Sequence, residues 1–240
     1  MNICIDPGHG GYDPGATGNG LEEKDISLKL GLMLRDRLLN RYECEVIVTR
    51  ETDTFVSLSD RAYMANARNA DLFVSIHING HDNTAANGYE DFIHSAAQRA
   101  TTDIRRSIHG LVSQVWVNAG RTDRGMKTAN FQVLRETRMP AVLLENGFIS
   151  NAKDAQLLQN SGFREKLAEA MAEGIASALK LERKETGPFP DVPADHWAAD
   201  AIKFVSEQGV MSGFPDGAFR PDNTITRAQL AAVIEKIYKG

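Results

Sequence analysis

The chain places residues able to bind a metal ion or carry a proton at the ends of apolar runs that lie far apart. His9 follows NICID (2–6), in the segment IDPGHGG. His77 and Asn79 close the run DLFVSIHI (71–78). Glu145 and Asn146 sit in AVLLENGF (141–148), and LEEKD (21–25) supplies Glu22 and Glu23. In open α/β sheets, ligands bind beyond the carboxyl ends of the strands, so these segments would deliver their polar residues to one edge. Two neutral imidazoles and a carboxylate form a catalytic zinc set with one position left open. Such an ion lowers the pKa of water to roughly 7. A second carboxylate, off the metal, would take the water's proton and later hand it to a leaving amine. On this reading His9, Glu23 and His77 are the ligands and Glu145 is the base. The glycines around His9 would let the backbone turn sharply and leave room for a substrate.

Each residue also has a plainer reading. His9 is a lone histidine in a glycine-rich loop, which is more often a surface or turn residue than a ligand. His77 shares a strand face with Phe73 and Ser75 by alternation, which suits a hydrogen-bonded core histidine. Glu145 lies in an apolar run, where an unpaired carboxylate is costly. Glu22 competes with Glu23, because carboxylates at a helix start also complement its dipole, and spacing does not choose between them. His77 and His81 have i, i+4 spacing, but their run is a strand, so His81 is left as a loop residue. His94 and His109 have no evident partners. The sequence contains no G-x-S-x-G elbow, no phosphate loop and no H-E-x-x-H.

The elements needed to position these residues are legible from periodicity. Residues 2–6, 45–49, 71–78, 88–94 and 141–148 read as strands. Helices are expected from Asp25 (Ile26, Leu30, Met33, Leu34, Leu38), over 57–69 with Ser57 or Ser59 as N-cap, around Ile104–Val115, and from Phe163 to Leu179. Strands alternating with helices imply an α/β domain, a largely parallel twisted sheet flanked by helices. Composition then shifts at LERKETGPFPDVP (181–193), which is charged and then rich in Gly and Pro. The expected division is a catalytic domain over 1–180, a linker over 181–188 and a small, mainly helical module over 189–240. Two helical patterns mark that module: Trp197, Ala201, Phe204 and Val205, then Leu230, Val233, Ile234 and Ile237.

Composition excludes several classes. The 240 residues carry a net charge of −5, which argues against a nucleic-acid partner. No apolar run approaches the roughly 20 residues that span a bilayer. Cys4 and Cys44 are the two cysteines, expected as free thiols, and no Cys-x-x-Cys pair offers a thiolate site. MNICID lacks a basic stretch followed by an apolar segment, so no secretory leader is expected. The chain would then be made in the cytoplasm and act at the cell wall, or be a trimmed part of a secreted protein.

The blocks IDPGHGGYDPGATGNGLEEKD, VTRETD, ANARNADLFVSIHIN and MPAVLLENGFISN closely resemble the zinc-dependent N-acetylmuramoyl-L-alanine amidases of the amidase-3 family, over roughly residues 2–180. The resemblance implies one zinc per catalytic domain and cleavage of the amide between N-acetylmuramic acid and the L-alanine of the peptidoglycan stem. It places the ligands on His9, Glu23 and His77, choosing Glu23 over Glu22, and the catalytic glutamate on Glu145. Arg50, Arg61 and Asn79 match recurrent family positions and are expected in support roles.

The segments FPDV, HWA, GFPDGAFRP and ITRAQ resemble a single S-layer homology module. This implies binding of secondary cell-wall polysaccharide through residues 189–240. Gln229 stands where the family usually has an acid. Arg227, at a helix start, could pair with an acidic sugar substituent or form a structural salt bridge. Trp197 could stack on a sugar ring, with a place in the module's core favoured. Such modules usually come in threes, so a single copy suggests homo-oligomerisation or weak binding. The function expected is a wall amidase of the phage-endolysin or mother-cell type. The alternatives are a secreted autolysin and a non-catalytic wall-binding protein.

Overall fold

The computed structural model describes residues 1–184, 187–194 and 196–239 and divides into two compact units, Met1–Arg183 and Lys184–Gly240. The linker expected over 181–188 includes positions 185 and 186, and the module expected over 189–240 includes 195 and 240. Those four positions lie outside the described residues.

In the first unit the order is β1 (Asn2–Pro7), β2 (Thr17–Gly18), β3 (Leu21–Glu22), α1 (Glu23–Arg41), β4 (Glu45–Val48), α2 (Leu58–Ala67), β5 (Leu72–Asn79), β6 (Tyr89–Ile93), α3 (Arg99–Asn118), β7 (Asp123–Thr128), α4 (Gln132–Glu136), β8 (Ala141–Phe148), α5 (Ala152–Gln159) and α6 (Ser161–Leu179). Six strands form one sheet in the order β4-β1-β5-β8-β6-β7. Strands β4, β1, β5 and β8 are parallel, β6 runs antiparallel to β8, and β7 is parallel to β6. The expected largely parallel sheet flanked by helices is present, and it is mixed only in that two strands are reversed at one edge.

Alternation along the strands sorts the core into two layers. Ile3, Ile5, Val74, Ile76, Val142 and Leu144 face the apolar stripes of α1, α3 and α6, with Leu30, Ile108, Trp116 and Met171 fully buried among them. Cys4, Phe73, Ala141 and Leu143 face α2 and α4. Neither Cys4 nor Cys44 is part of a disulfide. Ser57 caps α2, its hydroxyl accepting the Asp60 N–H at 3.1 Å.

One buried carboxylate ties three strands together. Asp6, at the end of β1, accepts hydrogen bonds from Thr49 Oγ1 (2.6 Å), Ser75 Oγ (2.7 Å) and the Arg61 guanidinium (2.7 Å). Arg61 is itself 2% exposed. A buried ion pair offsets its own desolvation only while every partner is present.

In the second unit, α7 (Ala199–Glu207) and α8 (Arg227–Lys239) follow an isolated bridge between Phe189 and Val192. Its small core is Val192, Ala199 and Ile202, with Phe189, Ala198 and Phe219 packed against it. The sequence pattern misassigned the first helical face. Ala201 and Phe204 point outward, and Trp197 is 91% exposed rather than a core residue. Trp197 precedes α7 in a turn, and the Phe189–Phe219 pair takes the aromatic place in the core. Gln229 has a local explanation: its Oε1 accepts the Thr226 N–H (2.9 Å) and its own N–H donates to Thr226 Oγ1 (3.2 Å). This is a capping box, which Gln closes as well as Glu.

Replacing Arg61 by Met strips Asp6 of its cation and should destabilise the first unit by about 3–5 kcal/mol. Urea unfolding measures this, and a loss below about 1 kcal/mol would contradict the role given to the pair.

Candidate metal centre

The PGHGG loop leaves β1 in a backbone conformation that L-residues rarely adopt. His9 has φ 60°, and Gly10 and Gly11 follow at 127° and 59°. A left-handed non-glycine residue costs of order 1–3 kcal/mol, so the loop must be held. Arg61 donates to the carbonyls of Pro7 (2.6 Å) and His9 (2.7 Å), and Arg50 to those of Pro7 (3.0 Å), Gly8 (2.8 Å) and Lys24 (2.7 Å). Two glycines make room beside the histidines. A Cβ at Gly8 would lie 2.3 Å from His77 Cε1, and one at Gly15 would lie 2.5 Å from Glu23 Oε2.

His9, Glu23 and His77 converge there. Each offers one ligand atom, and these atoms lie within 4.8 Å of one another. Glu23 Oε2 is 3.2 Å from His9 Nε2, and Oε1 is 2.9 Å from His77 Nδ1. The two rings stand edge to face with centroids 5.0 Å apart. The carboxylate also accepts the N–H groups of Ala16 (2.8 Å) and Ile78 (2.9 Å), which fix its plane. The β2–β3 hairpin, which the sequence pattern did not indicate, delivers Glu23 inward at the first residue of α1. Glu22 stays exposed beside Lys24.

Burial alone would raise the Glu23 carboxyl, but His77 and His9 hold it far below the usual carboxylate range. Burial opposes charge on His9, yet its bonds to Glu23 and Asp13 raise it to about 9. His77 is likewise raised, against its burial, by Glu23. The Glu23 carboxylate thus holds negative charge between the two imidazoles, which must give up their extra proton to bind a cation. Asp13, which sequence reasoning missed despite its i+4 spacing, accepts from His9 Nδ1 at 2.9 Å. That bond leaves Nε2 facing Glu23 and fixes the tautomer available to a ligand.

Glu145 lies beside His77 in register on β8. Its Oε2 is buried and has no hydrogen-bond partner. Burial pushes its carboxyl up to about 7, suiting a group that gains and loses a proton near neutrality. Across the sheet its register partner is Glu90 on β6. Glu90 is buried and accepts from Asn79 Nδ2 (2.8 Å), Arg124 Nε (2.7 Å) and Lys127 Nζ. Asn79 thus bonds a carboxylate next to Glu145, and Arg50 and Arg61 bond the carbonyls around His9. Glu90, Arg124 and Lys127 were not singled out from the sequence, although a glutamate inside the strand-like GYEDFIH was a signal.

The other histidines stand apart. His109 is buried on α3 between Asp91 (2.6 Å) and Asp123 (3.2 Å). His81 and His94 each accept a backbone N–H in their own loops. In the second unit Arg227 opens α8, exposed, and forms no ion pair among the described residues. Two imidazoles, one carboxylate and a buried unpartnered carboxylate alongside are a donor set suited to a divalent ion of the zinc type.

Residues 3–177 match the N-acetylmuramoyl-L-alanine amidase family, and residues 188–231 match the S-layer homology domain. The chain is 46% identical over 184 residues to a sporulation-specific N-acetylmuramoyl-L-alanine amidase of Bacillus subtilis, covering 76% of this chain and 70% of that protein. It is 39% identical to an endolysin of Bacillus phage SPP1, over 93% of this chain and 89% of the endolysin. Among solved structures it resembles the catalytic domain of CwlV, an N-acetylmuramoyl-L-alanine amidase from Bacillus (Paenibacillus) polymyxa var. colistinus. There the TM-score is 0.71 at 37% identity, covering 75% of this chain and 99% of that one.

Asp13→Asn should weaken binding of a divalent ion by about 10–100-fold with the fold intact. Metal titration followed by competition with a chromophoric chelator measures it, and unchanged affinity would contradict the part given to Asp13.

Proposed function

The chain belongs to the N-acetylmuramoyl-L-alanine amidase family, and on that premise we propose that His9, Glu23 and His77 hold one zinc ion and that Glu145 is the proton carrier. The protein is a cell-wall amidase. Its substrate bond joins the lactyl carbonyl of N-acetylmuramic acid to the amino group of the stem's L-alanine. The observation that carries the site assignment is the convergence of the three ligand atoms beside Glu145, whose buried Oε2 has no hydrogen-bond partner. When bound, zinc supplies Lewis acidity, lowering the pKa of water and polarising a carbonyl oxygen.

The remaining steps belong to the chain's own groups. Glu145 accepts a proton from the attacking water as its oxygen bonds to the carbonyl carbon. It then donates that proton to the amide nitrogen as the C–N bond breaks. The products are a lactyl carboxylate and a free L-alanine amine, and Glu145 returns to its starting state. Asp13 keeps His9 in one tautomer, and Arg50 and Arg61 keep the loop open beside the reacting carbonyl.

The second unit, over 189–240, is the wall-binding module in this reading, with secondary cell-wall polysaccharide as its ligand. Arg227 offers a guanidinium with no carboxylate paired to it among the described residues, and the exposed Trp197 ring offers a stacking face. Leu230, Ile234 and Ile237 lie exposed along α8 and support self-association through this unit. A lysin of the endolysin type is favoured by the extent of the likeness to the phage protein, which covers 93% of this chain.

Digestion of purified walls should release fragments with new L-alanine amino termini, and a chelator should stop the release. Other new termini would place the cut elsewhere in the stem. Glu145→Gln should lower turnover by about 10²–10⁴-fold while zinc content per chain stays unchanged. Retained turnover would remove Glu145 from its role. Deleting 189–240 should reduce wall binding more than hydrolysis of small soluble muropeptides; equal loss of both would make the tail part of the catalytic fold.

A further inference from the structure

A row of charged side chains crosses the sheet beyond the reacting centre. His77 on β5 is in register with Glu145 on β8, and Glu145 with Glu90 on β6. Next comes β7, whose register with β6 slips between the Tyr89–Asp123 and Asp91–Met126 pairs. The slip sets Arg124 against Glu90, whose Oε2 accepts from Arg124 Nε at 2.7 Å. Neighbouring strands lie about 4.8 Å apart, so β7 stands roughly 10 Å from the strand that carries Glu145.

Two cations here face one buried carboxylate. Glu90 takes hydrogen bonds from Arg124 and Lys127, and Asn79 fills its other oxygen. One positive charge is left over. The Arg124 side chain is 29% exposed and that of Lys127 39%, so both reach solvent on this edge. The Arg124 guanidinium lies over the Phe148 ring, 4.7 Å from its centroid, and bonds Glu90 through Nε. Its plane is therefore set in advance, and its terminal N–H groups form a fork of the kind that grips a carboxylate.

The proton path fixes which half of the substrate lies on this side. Glu145 must donate to the leaving nitrogen, so the amine half of the scissile bond is on the Glu145 side of the centre. The row past Glu145 leads to Glu90, Arg124 and Lys127. An extended peptide advances about 3.3–3.6 Å per residue. Two residues of stem therefore span roughly 7 Å, enough to bring the second residue's carboxyl group within reach of the Arg124 side chain.

We propose that Arg124 and Lys127 form the subsite for a free carboxylate on the second residue of the peptide stem, so that the enzyme prefers stems with an acid there over stems with an amide. The proposal rests on the amidase reading above and adds to it a direction for the stem and a basis for selecting it. Arg124 and Lys127 also neutralise Glu90. A purely structural role would lower activity on every stem alike, whereas a carboxylate subsite changes the ratio between stems.

The test compares two soluble muramoyl peptides that differ only in a carboxylate or a carboxamide on the second residue. The full chain should show a kcat/KM higher by about tenfold or more for the acid, the range of a charge-assisted hydrogen bond. Arg124→Gln should bring the ratio to within about twofold, largely by losing efficiency on the acid, and Arg124→Lys should restore part of it. Arg124→Gln leaves buried Glu90 one partner short, so the double variant Glu90→Gln/Arg124→Gln is measured alongside, with thermal melting as the check of fold. It too should lose the preference. Binding of the released stem dipeptide, as acid and as amide, gives a second readout and should follow the same order. Equal hydrolysis of both substrates by the full chain, or a preference that survives in both variants, overturns this proposal alone. Failure to release an L-alanine terminus from either substrate overturns the amidase reading, and the proposal with it.

Discussion

The Glu23 carboxylate is the constraint on which the catalytic unit depends. One oxygen faces His9 and accepts the Ala16 N–H; the other faces His77 and accepts the Ile78 N–H. A single side chain thereby joins the glycine-rich loop, the start of α1 and the end of β5. Burying a carboxylate is costly unless it is paired and hydrogen-bonded. Here each oxygen has both kinds of partner, and the strongly lowered pKa of the group records the balance. Any ion held at this point enters a site whose geometry is already set by backbone hydrogen bonds.

Behind that carboxylate is a second layer whose function is to hold backbone. Arg61 and Arg50 spend their donors on carbonyls of residues 7, 8, 9, 24, 52 and 56, and Asp6 anchors Arg61 to three strands. These groups lie outside the reacting site, but the left-handed turn at His9 relies on them. The same economy governs the glycines. Gly8 and Gly15 are needed because a single added carbon would occupy the space of the His77 ring and of the Glu23 carboxylate.

The sequence made the central strands readable because they are apolar runs bounded by turn residues, and the alternation in 71–78 placed His77 opposite the apolar face. Glu23 could not be separated from Glu22 by spacing, since the choice is made by the β2–β3 hairpin, two very short strands directly before α1 that leave no periodic signal. Strand β7 was missed because DRGMKT is an edge strand with charged residues and a glycine, without hydrophobic alternation. With it went Arg124 and Lys127, and the significance of Glu90. Trp197 misled for a different reason. In a unit of this size few side chains can be buried, and the aromatic places in its core are already held by Phe189 and Phe219.

Where a metal ion sits in this unit tests the roles of these four side chains most directly. Crystals grown with zinc and measured at its absorption edge should give one anomalous peak in the catalytic unit, bonded to His9, Glu23 and His77 at about 2.0–2.2 Å, with Glu145 close by but outside the coordination shell. A peak that includes Glu145 as a ligand, or one that leaves out either histidine, would contradict the division of labour between three ligands and one proton carrier.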